Sequence, residues 1–385
     1  MRHSVCAILL AAAILSTAAQ ENINLHQDNK SLTVNLDNSV TFRLGAPHAS
    51  EVKVTGDAVP SGSALMQRDS AGVWQYTTGP LAPELYSYNF LVDGVRITDP
   101  GNAYVMRDIG SLQNVFLIGG EQADYYRVTD VPHGSLGKVW YHSAATGSDR
   151  RLSVYTPAGY ENGDSRYPVL YLLHGMGGDE NSWTELGCAS RILDNLIAQG
   201  KAMPMIVVMP NGNVDMDAAP GESSWGYRQP TADLPRTMNG EFERSFPEIV
   251  QFVDSTYRTL PEKSKRAIAG LSMGGLHAQR ISMAFPDMFD YIGLFSAATI
   301  PHSKTHSDFY DDIEGKLARQ FAVSPKLYWI AIGRDDFLYD ENKIFRNLLD
   351  EGGYPYTYHE SDGSHQWRNW RRYLTRLAPL LFQAR

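Results

Sequence analysis

The chain is poor in cysteine, and it lacks a block of basic residues and a long central apolar run. Its 385 residues contain two cysteines, so a dense disulfide framework is excluded. The formal net charge of −9 and the absence of a Lys/Arg cluster argue against a nucleic-acid partner. Beyond the N-terminus, no apolar segment approaches the ~20 residues that a membrane-spanning helix needs. The sequence therefore predicts a fold that depends on its hydrophobic core, with no membrane span.

The first residues have the pattern of an export signal. Arg2 precedes an apolar stretch that ends near Leu15, and small residues follow up to Ala19. This pattern predicts a signal peptide over residues 1–19 and a periplasmic or extracellular location for the remainder. Cys188 is the only cysteine after position 19, so we expect no intrachain disulfide.

Residues 21–119 have an all-β pattern. Short alternating segments are separated by turn residues: "SLTVNL", "SVTFRLG", "EVKVTGD", "VWQYTTG" and "LYSYNFLVDGVRIT". Large apolar side chains recur at every second position and should share one face: Tyr86, Tyr88, Phe90 and Val92. Asp93-Gly94 favours a tight hairpin turn after them. The segment is predicted to be an immunoglobulin-like β-sandwich, with Trp74 and the tyrosines in its core.

Residues 120–385 change to alternating strand and helix patterns. The runs "VLYLL" and "MIVVM" are continuously apolar, as strands covered on both faces must be. Amphipathic segments at 181–200, 241–259 and 340–352 lie between such runs. This order predicts a doubly wound, mostly parallel sheet of the α/β-hydrolase class.

A serine between glycines is the candidate nucleophile. The motif is Gly270-Leu271-Ser272-Met273-Gly274, preceded by the strand-like run "KRAIAG" and followed by a helical pattern. Strand, Gly-x-Ser-x-Gly and helix are the context of a nucleophile elbow. A small-residue turn is the alternative for the motif alone, but both flanks favour Ser272 as the nucleophile.

A glycine-rich segment after an earlier strand is the candidate oxyanion loop. "YLLHGMGGDENSW" places His174-Gly175-Met176 directly after a buried run. In α/β hydrolases this loop gives one backbone N–H to the oxyanion, and the residue after the nucleophile gives the other. Those residues are Met176 and Met273. A structural glycine turn is the alternative.

An activated serine needs a base and an orienting acid, in the chain order serine, acid, histidine. His365 follows the last strand-like run in a small polar turn, which favours it as the base. The other histidines are predicted to be structural or solvated: His277, His302, His306 and His359. Three aspartates follow the preceding strand, and their spacing does not decide which of them is the acid: Asp335, Asp336 and Asp340.

Together these motifs resemble the esterase D-like hydrolases, in particular the feruloyl and acetylxylan esterases of carbohydrate esterase family one. The similarity covers residues 120–385 through "LYLLHGMGGDENSW", "MPNGN", "FVDSTYRT", "AGLSMGG" and "GSHQW". In that family the acid closes a Gly-x-x-Asp turn, which here runs from Gly333 to Asp336. The resemblance therefore implies Asp336 as the acid, with Asp335 as its close competitor.

The N-terminal segment resembles the early-set module of glycogen-branching enzymes and of some xylan-acting esterases, through "VTFRLGAP", "VWQYTTGPL" and "YSYNFLVDG". This resemblance implies carbohydrate contact or docking, and the alternative is a structural cap. The whole chain then resembles a secreted serine esterase that removes feruloyl groups from plant cell-wall arabinoxylan without a cofactor. Acetylated xylan, a siderophore ester and S-formylglutathione are alternative substrates. A non-catalytic glycan-binding protein is the alternative outside the enzymes, and the complete set of serine, aspartate and histidine argues against it.

A polar loop follows the "MIVVM" run. "NGNVDMDAAPGE" has oxygen-bearing side chains at calcium-loop offsets, but Met216 stands where such a loop needs glycine, so no metal is predicted. Trp225 and Tyr227 lie just beyond it. With Trp367 they are candidate aromatic contacts for a phenolic acyl group, and packing of the loop is the alternative for the first two.

Overall fold

The computed structural model describes residues 30–215, 220–222, 228–231, 236–300 and 307–383. Strands between residues 32 and 118 form two sheets, and a third sheet with flanking helices begins at residue 135. The predicted signal peptide, residues 1–19, lies outside the described residues. The limits 21–119 and 120–385 stay predictions.

Ten described strands form the N-terminal sandwich. They are β1 (Leu32–Val34), β2 (Val40–Gly45), β3 (Val52–Gly56), β4 (Ser63–Leu65), β5 (Gln67–Arg68), β6 (Val73–Thr77), β7 (Glu84–Val92), β8 (Val95–Ile97), β9 (Val105–Asp108) and β10 (Ser111–Ile118). One sheet has the order β1-β2-β6-β5. The other has the order β4-β3-β7-β10-β9, with β8 paired to β7. All pairings are antiparallel.

The alternating side chains of β7 form the centre of the sandwich. Tyr86, Tyr88 and Phe90 are buried, and Val92 packs against the same cluster. Phe116 of β10 stacks on Tyr86 with ring centroids 5.5 Å apart. The shared face predicted from the period of two is confirmed.

The turn and the tryptophan of the sandwich also follow the sequence prediction. Asp93 and Gly94 both have positive φ, 46° and 85°, in the tight turn between β7 and β8. Trp74 is buried, and its indole N–H donates to the Ala46 carbonyl oxygen at 2.9 Å. Trp74 therefore packs in the core and is not part of an exposed sugar platform.

Eight described strands form the large sheet of the C-terminal part. They are β11 (Ser135–Ser143), β12 (Ser148–Thr156), β13 (Val169–Leu173), β14 (Ile206–Pro210), β15 (Arg266–Leu271), β16 (Tyr291–Phe295), β17 (Leu327–Gly333) and β18 (Thr357–Ser361). Their order is β11-β12-β14-β13-β15-β16-β17-β18. β11 and β12 pair antiparallel at one edge, and the strands from β14 to β18 run parallel. The mostly parallel sheet predicted from the apolar runs is confirmed.

Helices cover both faces of this sheet. They are α1 (Ser182–Glu185), α2 (Ala189–Ala198), α3 (Glu241–Thr256), α4 (Met273–Ala284), α5 (Ile313–Ala322), α6 (Tyr339–Glu351) and α7 (Trp367–Leu377). The segment 181–200, expected as one amphipathic stretch, is broken because Cys188 adopts a left-handed conformation with φ of 53°. No helix in the described ranges is long and apolar enough to cross a membrane.

The sandwich packs on the sheet face that α2 and α7 cover. Leu85 of β7 belongs to the same buried cluster as Ile192 of α2 and Trp370 of α7. Tyr126, in the connection that follows the sandwich, joins this cluster as well. The two parts of the chain therefore share one continuous apolar interior.

A buried ionic cluster crosses this contact. Glu84 of β7 is completely buried, and its Oε1 accepts from Arg371 Nη2 of α7 at 2.9 Å. Arg372 Nη2 lies 3.3 Å from the second carboxylate oxygen. Arg371 also donates to the carbonyl oxygens of Leu85 and Leu186. The arginines of α7 are thus fixed to the first residues of the central sandwich strand.

Candidate active site

A cavity of about 610 Å³ lies where the sandwich meets the carboxyl edge of the large sheet. Ligands of open α/β sheets bind at this edge. The C-terminal part contributes Gly175, Met176, Ser272, Met273, His365 and Trp367 to the lining. The sandwich contributes Leu85, Met106, Arg107, Asp108, Ile109 and Val115.

Ser272 occupies a strained turn between β15 and α4. Its backbone has φ 52° and ψ −118°, a conformation that side-chain-bearing residues rarely adopt. The Ser272 N–H donates to the Phe295 carbonyl oxygen at 2.9 Å, and the Ser272 carbonyl accepts from Ala298 N–H at 3.0 Å. These bonds to the neighbouring strand end hold the serine at the cavity.

The glycines of the motif are required by close backbone approaches. A Cβ on Gly270 would lie 2.2 Å from the Gly274 carbonyl oxygen. A Cβ on Gly274 would lie 2.3 Å from the His174 carbonyl oxygen. Both separations are far inside van der Waals contact, so the sharp strand-to-helix turn exists only with glycine at these positions. This geometry is that of a nucleophile elbow.

His365 and Asp336 form a pair beside the serine loop. The His365 Nδ1–H donates to the Asp336 carboxylate, with both oxygens at 3.0 Å, because a carboxylate can only accept. This tautomer leaves Nε2 as an acceptor, and His365 lines the cavity. Asp336 is buried, and its Oδ1 also accepts from the Leu338 N–H at 3.0 Å. The pair therefore has the orientation that a general base requires.

The structure separates the two adjacent aspartates. Asp335 is exposed, and its backbone N–H donates to the Gly363 carbonyl oxygen at 3.1 Å, which joins the acid loop to the histidine loop. A Cβ on Gly333 would lie 2.0 Å from the same carbonyl oxygen. The Gly-x-x-Asp turn thus brings Asp336 to His365 and directs Asp335 to the surface.

The remaining histidines do not line the cavity in the described part of the chain. His277 is buried, with Nδ1 2.9 Å from Glu243 Oε1, and His359 stacks on Trp329. His302 and His306 lie outside the described residues.

The oxyanion loop lies directly against the serine. A Cβ on Gly175 would lie 2.5 Å from Leu271 Cδ1 and 3.4 Å from Ser272 Cβ, so this glycine lets the loop pack closely against the end of β15. Met176 and Met273 both line the cavity. Met273 is the first residue of α4, where backbone N–H groups have no partner within the helix. The main-chain N–H groups of Met176 and Met273 stay the predicted oxyanion donors.

His174 supports this loop from inside the protein. Its Nδ1–H donates to the Gly175 carbonyl oxygen at 2.7 Å, and its Nε2 accepts from the Gly212 N–H at 2.8 Å. Both ring nitrogens are therefore used by a neutral imidazole. Burial lowers the pKa of His174 to about 4, because a charged ring would be desolvated and would lose the bond from Gly212.

The depressed pKa of His174 predicts a loss of stability in mild acid. The unfolded chain binds this proton near the ordinary pKa of about 6.5, whereas the folded chain binds it only near 4. The free energy of unfolding should therefore fall as the pH falls from 6.5 towards 4, by at most about 1.4 kcal/mol per pH unit from this group. Urea unfolding at several pH values measures the slope.

The matched variant is His174→Gln, whose amide stays neutral throughout this range. We expect it to be less stable than the natural chain at pH 7, but with a smaller change between pH 6.5 and 4. Equal slopes for the two proteins would contradict the assignment.

Most of the chain is similar to known proteins. Residues 143–381, more than half of the chain, match the family model Esterase. The chain belongs to the Esterase family. The endo-1,4-beta-xylanase/feruloyl esterase of Xylanibacter ruminicola is 31% identical over 359 residues, which are 91% of this chain and 46% of that protein. The chain thus spans about half the length of that relative.

Two further esterases are similar to this chain, one over a shorter part of it and one at lower sequence identity. The acetyl esterase of Caldicellulosiruptor saccharolyticus is 29% identical, over 54% of this chain and 80% of its own length. The enterobactin esterase FES of Shigella flexneri has a TM-score of 0.64, covering 93% of this chain and 95% of that chain at 19% identity, which shows the fold alone. The comparisons confirm an α/β hydrolase preceded by a β-sandwich, and the resemblance to feruloyl esterases.

Of the three aromatic residues predicted to contact substrate, the structure places one in this esterase's cavity. Trp367 lines it and packs edge-on against Trp183 and Trp370. Trp225 and Tyr227 lie outside the described residues, and their roles stay predictions.

The polar loop after β14 supports other elements of the esterase. Asn211 Nδ2 donates to Glu180 Oε2 at 2.9 Å, and Asn213 Nδ2 donates to the Gly178 carbonyl oxygen at 2.8 Å. Asp215 lies 3.6 Å from Arg236. Within the described residues, no group of three or more His, Cys, Asp or Glu side chains is arranged to hold a metal ion.

The sandwich residues of the cavity and one aromatic residue at its mouth had no clear signal in the sequence. Phe337, 76% exposed, lies over His365 with ring centroids 4.5 Å apart. Arg107 and Asp108 are the last residues of β9. Charged residues at the end of a strand, just before a hairpin turn, ordinarily indicate that the turn is exposed to solvent. Phe337 lies among the three aspartates that follow a strand-like run, in "RDDFLYD" at residues 334–340, and this position was its only signal in the sequence.

Proposed function

We propose that this chain is a serine carboxylic ester hydrolase that removes feruloyl groups from plant cell-wall xylan. The observation that carries the proposal is a nucleophile elbow and an oriented His365–Asp336 pair in one large cavity. The cavity is lined mainly by apolar groups, among them Met106, Val115 and Trp367. A mainly apolar lining of this kind suits an aromatic acyl group better than a polar lining would.

The residues support a two-step acyl transfer. Ser272 Oγ attacks the ester carbonyl while His365 Nε2 takes its proton, and Asp336 stabilises the resulting imidazolium. The N–H groups of Met176 and Met273 bind the oxyanion, each worth ~3–4 kcal/mol of barrier. His365 then protonates the departing sugar oxygen, which leaves as a hydroxyl. Water, deprotonated by His365, cleaves the acyl-enzyme and regenerates Ser272.

The proposed substrate and location rest on separate observations. The relative from Xylanibacter ruminicola carries feruloyl esterase in its name and matches 91% of this chain. The sequence of residues 1–19 supports export to the periplasm or beyond, where xylan fragments are accessible. Acetylated xylan is the second candidate, because the relative from Caldicellulosiruptor saccharolyticus is an acetyl esterase.

The test is to incubate the purified protein with feruloylated arabinoxylan, acetylated xylan and methyl ferulate, and to identify the released acid by chromatography. The Ser272→Ala protein serves as the blank. Release of ferulate supports the proposal. Release of acetate alone makes the protein an acetylxylan esterase, and release of neither acid contradicts both candidates.

The position of Trp367 predicts an effect on acyl selectivity. Trp367→Ala removes an aromatic contact that a feruloyl group reaches and an acetyl group does not. The ratio of kcat/KM for methyl ferulate to that for p-nitrophenyl acetate should fall by about 5- to 150-fold, equivalent to ~1–3 kcal/mol. Using the ratio cancels any effect on His365, two residues away.

The matched control is Trp140→Ala, at a half-exposed tryptophan of β11 that does not line the cavity. Its selectivity ratio should stay within about twofold of the natural protein. An unchanged ratio for Trp367→Ala would mean that Trp367 only packs the start of α7.

A further inference from the structure

The hairpin of β9 and β10 closes one side of the catalytic cavity. Met106, Arg107, Asp108 and Ile109 line it from one strand and the turn, and Val115 lines it from the other. The sandwich is therefore in contact with the reaction site itself. Among these residues, Arg107 contacts the element that binds the oxyanion.

Arg107 makes an ion pair with Asp179, through Nη2 and Oδ2. Its other terminal nitrogen, Nη1, donates to the Ile109 carbonyl oxygen at 2.8 Å, which fixes the guanidinium over the hairpin turn. The Asp179 side chain is 8% exposed and that of Arg107 is 28% exposed. A largely desolvated pair of this kind holds its geometry more firmly than a surface ion pair.

Asp179 ends the oxyanion loop that begins at His174. The other carboxylate oxygen of Asp179 accepts from the Asn181 N–H at 2.8 Å, and the Asp179 N–H donates to Ser182 Oγ at 2.9 Å. Gly178 N–H donates to the Gly175 carbonyl oxygen at 3.1 Å, closing a turn around Met176. The position of the Asp179 carboxylate is therefore linked, through these hydrogen bonds, to the turn that contains Met176.

The loop is thus held from two sides. His174, from within the catalytic part, fixes the Gly175 carbonyl on the inner side. Arg107, from the sandwich, fixes Asp179 on the outer side. An oxyanion donor must lie within a few tenths of an ångström of its productive position to give its full effect.

We propose that Arg107 is a positioning residue for the oxyanion loop, acting through Asp179, so that the sandwich is part of the catalytic machinery. The inference rests on the proposed ester hydrolysis only in that the loop binds an oxyanion. It is independent of which acyl group is released. An alternative role for Arg107, binding an anionic group of the substrate, would act on KM instead of kcat.

The experiment compares Arg107→Ala, Arg107→Lys, Asp179→Asn and the double variant Arg107→Ala/Asp179→Asn with the natural protein. kcat and KM are measured on p-nitrophenyl acetate, a small neutral ester. The rate at which a fluorophosphonate labels Ser272 is a second readout, since its phosphoryl oxygen enters the same oxyanion site. The melting temperature reports on the fold. Lys53→Ala is the control, because Lys53 pairs with Glu51 in the sandwich, away from the cavity.

We expect Arg107→Ala to lower kcat and the labelling rate about tenfold or more, with KM changing less than threefold. Arg107→Lys should recover part of the loss. Asp179→Asn should show a similar loss, and the double variant should lose no more than either single variant, because both break one interaction. Lys53→Ala should keep the natural rates.

Three results would overturn the proposal: unchanged kcat and labelling in Arg107→Ala, a change in KM alone, or fully additive losses in the double variant. If the natural protein labels with fluorophosphonate but does not turn over the ester, the proposed function fails while the labelling ratios still decide the role of Arg107. Absence of both activities in the natural protein overturns both.

Discussion

Replacing Asp336 by asparagine is expected to lower kcat about 10⁴-fold on any ester that the protein cleaves. The amide keeps the shape of the carboxylate but cannot stabilise the imidazolium, and its NH₂ group favours the wrong tautomer of His365. The His365 Nδ1–H now donates to this carboxylate at 3.0 Å. KM should change little, since Asp336 is buried behind the imidazole and does not line the cavity.

Asp335→Asn is the matched control, one residue away and chemically identical. Its side chain is exposed, and the contact it makes to the histidine loop comes from its backbone. kcat should therefore stay within about twofold of the natural value. Steady-state kinetics on p-nitrophenyl acetate compares the two variants, and a large loss in Asp335→Asn with a small one in Asp336→Asn would transfer the role to the neighbouring residue.

The nucleophile loop could be predicted because its motif reflects a backbone requirement. A Cβ on Gly270 or Gly274 would lie 2.2 or 2.3 Å from a carbonyl oxygen. The turn therefore requires glycine at both positions, and the requirement is visible in the sequence. The position of His365 was predictable for a related reason, since chain order and strand ends restrict it to one short turn. The spacing alone could not decide between Asp335 and Asp336, and only the family resemblance favoured Asp336.

The contribution of the sandwich to the cavity could not be predicted in this way. Arg107 and Asp179 are 72 residues apart, and Glu84 and Arg371 are 287 residues apart. Neither pair belongs to a motif with fixed spacing, and charged residues at strand ends are ordinarily solvated. Packing of two separately patterned segments against each other leaves no periodic signal in either of them.

The buried cluster of Glu84 also connects the sandwich to the loop that carries His365. α7 begins at Trp367, two residues after His365, and its Arg371 is held by Glu84. The N-terminus of α7 lines the cavity through Trp367 and Arg368. The position of His365 therefore depends on a helix whose buried Arg371 is neutralised by Glu84 of the sandwich.

Glu84→Gln is accordingly expected to cost about 3–5 kcal/mol of stability, the loss typical when one partner of a buried ion pair is removed. The glutamine keeps the volume of the side chain, but it leaves the desolvated guanidinium of Arg371 without its counter-charge. Arg372, 3.3 Å from the same carboxylate, loses its partner as well. Urea unfolding at pH 7 gives the free energy of unfolding of both proteins.

The surface pair Lys53–Glu51 in the same sandwich provides the comparison, since its side chains are 35% and 46% exposed. Glu51→Gln should cost less than about 1 kcal/mol, as exposed ion pairs do. Adding Arg371→Met to Glu84→Gln removes the unpaired buried charge and should recover part of the stability, because an apolar side chain of similar length needs no counter-charge. A loss below 1 kcal/mol in Glu84→Gln, or no recovery in the double variant, would mean that the arginines of α7 are satisfied by carbonyl oxygens such as that of Leu186 and not by Glu84.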